Sequence, residues 1–402
     1  MRVSGRPPLE ATVWELQKLR CNLCGEVFTA RPPQGVGTAR YDATVASMIG
    51  LLKYGSGMPF NRLAGPEGNP GVPLPAATQW EIVSEAAAQM APVHEELMRQ
   101  AAQGQVLYND DTNMKILQWM GKHRPQEPSE RKGIFTSGIV STREGRRIAL
   151  YFTGRKHAGE NLEAVLKQRA AQASRPIQMC DALSRNVSGE FDTIVANCLA
   201  HGRRQFVEVS ENFPGECRHV LEVLRDVYRH DAITRQKRMD DAERLRFHQV
   251  NSGPLMDDLH AWMTQQIEQK RIEPNSGLGE AIGYMLKHWK GLTLFLREPG
   301  APPDNNLCER ALKKAILHRK NALFYKTDNG ARVGDLFMSL IHTCELAETN
   351  PFEYLTALLR NAKAVAAGAH EWMPWNYREA LARRALRAGG SSTRRAAAPA
   401  GR

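Results

Sequence analysis

The chain is 402 residues long, 42% apolar and 24% charged, a composition that fits a soluble globular protein of two or three domains and excludes a fibrous, low-complexity or mainly disordered chain. Lysine and arginine outnumber aspartate and glutamate by 11, which favours a polyanionic partner such as nucleic acid. No window of about 18 apolar residues offers a membrane span, and residues 1–11 carry charges and prolines where a leader peptide would be apolar. We therefore expect a cytoplasmic protein without a membrane partner.

Residues 1–40 mix proline and glycine around Cys21-Asn22-Leu23-Cys24-Gly25 and read as a partial zinc-binding module. An odd total of seven cysteines, with only this pair close together, argues against a disulfide framework. Cys21 and Cys24 are either half of a zinc site or two ordinary cysteines, and the following glycine favours the former. Residues 41–103 read as a helical region, with a helix over 41–54, a break at 55–59, a turn at 60–63 and a loop at 65–75. A long helix should start at Thr78 with a Thr78-Gln79-Trp80-Glu81 capping box and kink at Pro92. Such a unit is compatible with a helix-turn-helix DNA reader, although plain helix packing is its commoner use.

From 104 to 199 the period changes to that of strands, at 106–110, 133–142 and 147–154, with a hairpin at Arg143-Glu144-Gly145. A helix at 159–170 and strands at 176–181 and 193–196 follow. Three antiparallel strands, a helix and a further strand match the order of a ribonuclease H-like core, so the expected fold class is α/β with an α+β mixed sheet.

Residues 200–300 read as a helical insertion whose apolar stripes, such as Val220, Leu224 and Val227, or Leu278, Ile282 and Met285, are core by spacing. The core's C-terminal helices are expected within 301–367, at about 306–318 and 334–346. Residues 368–402 should be a C-terminal block with a disordered basic tail from Gly389.

Three acids stand at element ends: Asp110 at the end of the first core strand, Asp181 at the end of the fourth, and Glu309 at the opening of a helix. Two-metal phosphoryl transfer requires such hard oxygen ligands, converging on ions about 4 Å apart. Asp111 follows Asp110 on the same strand and must face the other way.

The run Asp304-Asn305-Asn306 to Glu309-Arg310-Ala311-Leu312, followed by Arg319-Lys320-Asn321, resembles the signature of the insertion sequence 66 family of DDE transposases. Asp110-Asp111-Thr112 is similar to that family's first-aspartate motif, Cys198 to Phe206 to its Cys-x-x-His block, and Met373-Pro374-Trp375-Asn376 to its C-terminal block. With Lys53 to Phe60 and the cysteine pair, the resemblance spans about residues 12–377.

It implies that Asp110, Asp181 and Glu309 are the catalytic carboxylates and hold two Mg²⁺ or Mn²⁺ ions. It also implies that the chain cuts element ends and joins their 3′-hydroxyls to target DNA. The partners would be transposon-end and target DNA, further copies of the chain on paired ends, and accessory proteins of the same element, in a bacterial cytoplasm at the nucleoid. Cys198 and His201 either place DNA or carboxylates, or form a satisfied pair at a helix start. Arg310, Lys313, Lys314, Arg319 and Lys320, with His318 among them, are expected to meet DNA phosphates. Two departures stand out: the family's second metal-ligand pair upstream of Cys21 is missing, and Leu199 replaces a tryptophan. The first implies a truncated start or a lost finger, and with it the alternative of an inactive copy that binds DNA as a repressor of transposition.

His94, His157, His260, His288 and His342 share no metal-site spacing and are read as surface or packed residues. Cys217 and Cys344 read as core, and Trp372 and Trp375 as packing rather than base-stacking residues.

Overall fold

The computed structural model describes residues 8–36, 40–63, 74–120 and 131–393, with side chains to Arg387. Most of the loop expected at 65–75 and the tail after Thr393 lie outside the described residues. The chain begins with a small antiparallel hairpin, β1 (Lys18–Arg20) and β2 (Val27–Thr29). Helix α1 (Ala43–Gly50), capped by Asp42, runs into a π-turn ending at Gly55, then α2 (Phe60–Leu63) and α3 (Ala76–Ala101) follow.

Helix α3 starts behind Pro75 with no side-chain cap, so the expected capping box at Thr78 does not form. Its entry is set instead by buried Gln79, whose amide donates to the carbonyls of Phe60 and Leu74. The helix also continues through Pro92, because the stripe Val83, Ala86, Met90, Val93 and Leu97 buries both halves against one core.

Next come β3 (Val106–Asn113), β4 (Phe135–Arg143), β5 (Arg146–Gly154), α4 (Ala158–Leu166), β6 (Ile177–Cys180) and β7 (Ile194–Asn197). They build a five-stranded mixed sheet in the order β5-β4-β3-β6-β7. The first three are antiparallel, while β3, β6 and β7 run parallel. The fold is thus mixed α/β. The β4–β5 turn is Glu144-Gly145, both at positive φ (51° and 79°), the left-handed pair that a two-residue hairpin turn requires. Strand β3 runs three residues past Asp110, to Asn113, instead of ending at it. Pairing of Asp111, Thr112 and Asn113 with Ser137, Thr136 and Phe135 of β4 overrides their poor strand propensity.

Five helices follow β7: α5 (Leu199–Glu208), α6 (Pro214–Gln236), α7 (Asp241–Asn251), α8 (Gly253–Glu268) and α9 (Gly277–Leu292). They close on a core of their own through Val220, Leu224, Val227, Leu259, Ile282 and Met285, shared with Val106, Ile177 and Met179 of the sheet. The chain then returns as α10 (Asn306–Ala322), α11 (Asp328–Leu346), α12 (Pro351–Arg360), α13 (Ala362–Ala367) and α14 (Tyr377–Thr393). Helix α14 extends past Gly389, where a disordered tail was expected. Buried Tyr377 and Ala380 anchor its first turn, and the alanine- and arginine-rich stretch up to residue 388 propagates it into the glycines and serines that follow. Among the described residues no helix is long and apolar enough to cross a membrane.

The outer strand β5 has its free edge covered. Asp335, Ser339 and Thr343, four residues apart on α11, accept hydrogen bonds from the backbone N–H groups of Thr153, Tyr151 and Ala149. One face of one helix thereby occupies donors that would otherwise template edge-to-edge pairing.

Candidate active site

Strand β3 lies where the sheet changes sense, with antiparallel β4 on one side and parallel β6 on the other. In open α/β sheets the crevice at the carboxyl ends of such strands is where ligands bind. Pairing of β3 with β6 ends at Tyr108 and Met179. Asp110 and Asp181 therefore emerge beside one another where the two strands part. The Nδ2 of buried Asn186 lies 2.7 Å from Asp181 Oδ1 and 3.4 Å from Asp110 Oδ1.

Glu309 comes from the first turn of α10. That helix approaches the sheet closely because Gly138, the register partner of Asp110 on β4, has no side chain: a Cβ there would stand 3.0 Å from Leu312 Cδ2. The Cys308 thiol donates to the Gly138 carbonyl at 3.2 Å, and the Asn305 amide donates to the Asn109 carbonyl at 3.1 Å. These bonds hold the start of α10 over β3.

Burial, then the charges of Asp181, Asp111 and Glu309, push the Asp110 carboxyl up from 3.8 to about 7, against one lowering hydrogen bond from the Asp111 N–H. Asp181 and Glu309 thus both lie within electrostatic range of Asp110. Asp111, as strand alternation demands, faces elsewhere. Its Oδ2 is 2.9 Å from His157 Nδ1 at the start of α4, and its Oδ1 is 3.9 Å from an Arg185 nitrogen.

Cys198 stands at the N-cap position of α5 without a side-chain cap bond, and His201 lies one turn on. The Asn305 N–H donates to Cys198 Sγ at 3.2 Å, and His201 Nδ1 faces Glu309 Oε1 at 3.9 Å. Burial pushes the Cys198 thiol up to about 11. Leu199 is fully buried, so a packing role accounts for the residue at that position.

Of the basic residues on α10, Arg310, Lys313 and Lys320 are exposed. Lys314 is paired with Glu345 at 2.6 Å, and Arg319 donates to the Thr112 hydroxyl and the Asn113 carbonyl, which ties α10 to the end of β3. His318 is no surface residue: it is 1% exposed, stacks between Tyr54 and Tyr325, and burial lowers it from 6.5 to about 3. Trp372 is buried, and Trp375 is packed against the core beneath the Arg146 guanidinium. Cys21 and Cys24 sit in the β1–β2 turn, where the N–H groups of Cys24 and Leu23 lower the Cys21 thiol.

Sequence reasoning missed Asn186 and Asn305 as contributors to this site. Asn305 lies inside the Asp304-Asn305-Asn306 run and carried a signal; Asn186 carried none. His157 is packed against Phe135 and paired with Asp111, away from the three acids.

A family model described as "Transposase IS66 family" matches residues 38–333, a span that contains Asp110, Asp181, Cys198, His201 and Glu309. The chain belongs to the IS66 transposase family. It is similar to the uncharacterized protein y4hP of Sinorhizobium fredii, 27% identical over 389 residues that cover 89% of this chain and 68% of that protein. It is also similar to the uncharacterized protein y4jD of the same organism, 30% identical over 201 residues that cover 49% of this chain and 39% of that protein.

Proposed function

We propose that the chain is a DDE transposase that cuts the ends of a bacterial insertion sequence and joins the freed 3′-hydroxyls to target DNA, on a ribonuclease H-like core formed by the mixed sheet, α4, α10 and α11. The observation that supports this reading is that Asp110 and Asp181, at the point where the sheet changes sense, share the Asn186 side chain, while Glu309 on α10 acts electrostatically on Asp110.

The donor set fits hard divalent cations. All three groups are carboxylates, and burial, then the charges of Asp181, Asp111 and Glu309, raise Asp110. The buried Oε1 of Glu309 also has no hydrogen-bond partner. Two Mg²⁺ or Mn²⁺ ions held there would supply Lewis-acid activation of the attacking water or 3′-hydroxyl and stabilise the leaving 3′-oxygen. The chain's own residues provide the rest. Asn186 keeps the two aspartates together, α10 presents Glu309, and exposed Arg310, Lys313 and Lys320 along the same helix bind DNA phosphates beside the carboxylates. Because the 3′-hydroxyl displaces one phosphodiester oxygen by another, joining requires neither ATP nor a covalent enzyme intermediate. Cys21 and Cys24 are read as half of a zinc-binding module, supported by the N–H groups turned toward the Cys21 thiol.

The test is an in vitro reaction with element-end duplex, target plasmid and Mg²⁺ or Mn²⁺, comparing wild type with Asp181→Asn. Metal-dependent joined products that disappear in the variant are expected. End binding equal in both proteins, without metal-dependent cutting in either, would overturn the reading in favour of a DNA-binding repressor.

A further inference from the structure

We propose that Cys198, His201 and Glu309 form a second divalent-cation site, of the zinc class, that shares Glu309 with the carboxylate cluster. Their donor atoms, one sulfur, one nitrogen and one oxygen, all lie within 4.8 Å of one another. Zinc bonds of about 2.0–2.3 Å place tetrahedral ligand atoms roughly 3.3–3.8 Å apart, so modest side-chain rotation closes the set. His201 Nδ1 and Glu309 Oε1 are 3.9 Å apart. Both atoms are buried and neither has a hydrogen-bond partner. That is a costly arrangement for a ring nitrogen and a carboxylate oxygen unless something binds between them.

The sulfur is set up as a ligand as well. Cys198 stands at the N-cap position of α5, and its Sγ accepts a hydrogen bond from the Asn305 N–H at 3.2 Å. That donor orients the sulfur, as outer-shell partners of metal-bound cysteines do. On binding, the Cys198 thiol releases its proton to solvent and the sulfur lone pair bonds to the cation. A thiolate and an imidazole select zinc over magnesium, and three protein ligands leave a fourth position open. Cys198 and His201 thus belong to a soft-metal site beside the hard one.

The regulatory consequence rests on the proposed role of Glu309. An ion on Cys198 and His201 holds Glu309 Oε1 where it already stands beside them, so zinc competes with the aspartates for Glu309 and inhibits Mg²⁺-supported joining. The binding claim does not depend on that role and is tested without DNA.

The probe is Co²⁺, added to the full chain carrying Cys21→Ser and Cys24→Ser so that the hairpin thiols cannot contribute. One equivalent should give a thiolate-to-cobalt charge-transfer band that one equivalent of Zn²⁺ abolishes. The band should vanish in Cys198→Ser and in His201→Ala and persist in Asp181→Asn. Because Cys198 is buried and its replacement can unfold the chain, His201→Ala, at a position with 23% side-chain exposure, carries the test independently. No band at stoichiometric Co²⁺, or an equal band in folded His201→Ala, overturns the proposal. A band that follows this pattern in a protein inactive on DNA would leave the metal site standing and remove only the reading of Glu309.

Discussion

Asn186 donates its side-chain amide to Asp181 Oδ1 at 2.7 Å. The same nitrogen reaches toward Asp110 Oδ1 at 3.4 Å, so one neutral donor stands between two carboxylates that repel each other. Asn186 is itself fixed from below. Its backbone carbonyl accepts the side-chain amides of Asn109, at 2.7 Å, and Gln178, at 2.8 Å, and Gln178 also donates to Asn109 Oδ1. These buried amides link β3, β6 and the loop after Asp181 into one frame beneath the acids.

Removal of that donor should therefore weaken metal capture more than folding. For Asn186→Ala we expect a loss of about 10- to 100-fold in metal affinity or in cleavage rate, the usual range for an outer-shell partner. Asn186→Asp adds a further negative charge and should lower the rate while leaving end-DNA binding in place. The measurement is a Mg²⁺ titration of end cleavage; half-saturation and rate equal to wild type in both variants would exclude Asn186 from the site.

How far the sequence reveals this arrangement differs from element to element. The β-rich stretches around Val140, Ile148 and Ile177 and the helical stripes through Val220, Ile282 and Met285 depend on local periodicity, and the elements form there. Asn186 has no periodicity to announce it: it lies in a single 3-10 turn, and although Asp181 is five residues away, its partners Asn109 and Asp110 are 77 and 76 residues away. Charge is similarly deceptive on α10. Lys314 and Arg319 read as free cations until the fold brings Glu345 and Thr112 to them, across 31 and 207 residues. His318 shares that basic run but points inward, because its partners Tyr54 and Tyr325 come from two other segments.

Asp335 gives a prediction of pH dependence. It is fully buried, accepts from the Thr153 N–H and hydroxyl at 2.6 Å each, and burial pushes its carboxyl from 3.8 to about 7. The unfolded chain releases this proton near its ordinary value, whereas the folded chain keeps it to about 7. Its contribution to stability is therefore full below about pH 4 and is lost as pH rises through about 7. In Asp335→Asn the neutral amide can still bond both Thr153 groups, since the hydroxyl is free to accept. Relative to wild type, the variant should gain on the order of 4 kcal/mol between about pH 4 and pH 8, at 1.36 kcal/mol per unit. Urea unfolding of both proteins across that range measures it. Asp110 titrates in both proteins and cancels in the comparison; parallel curves would show that Asp335 is not held protonated.

The exposed lysines of α10 set the salt dependence of DNA binding. Lys313 and Lys320 are exposed and lie on the helix that carries Glu309, whereas Lys314 is held by Glu345. Each phosphate contact contributes about 0.9 to the slope of log K against log salt on duplex DNA. Replacing both Lys313 and Lys320 by alanine should thus flatten the slope by about 2, since two phosphate contacts are lost. Lys314→Ala, which removes a charge already paired within the protein, should leave the slope near wild type. Binding of element-end duplex measured across a salt series distinguishes the cases. An unchanged slope in the double variant would take α10 out of the DNA interface, and a slope lowered equally by Lys314→Ala would mean that the Glu345 pair opens when DNA binds.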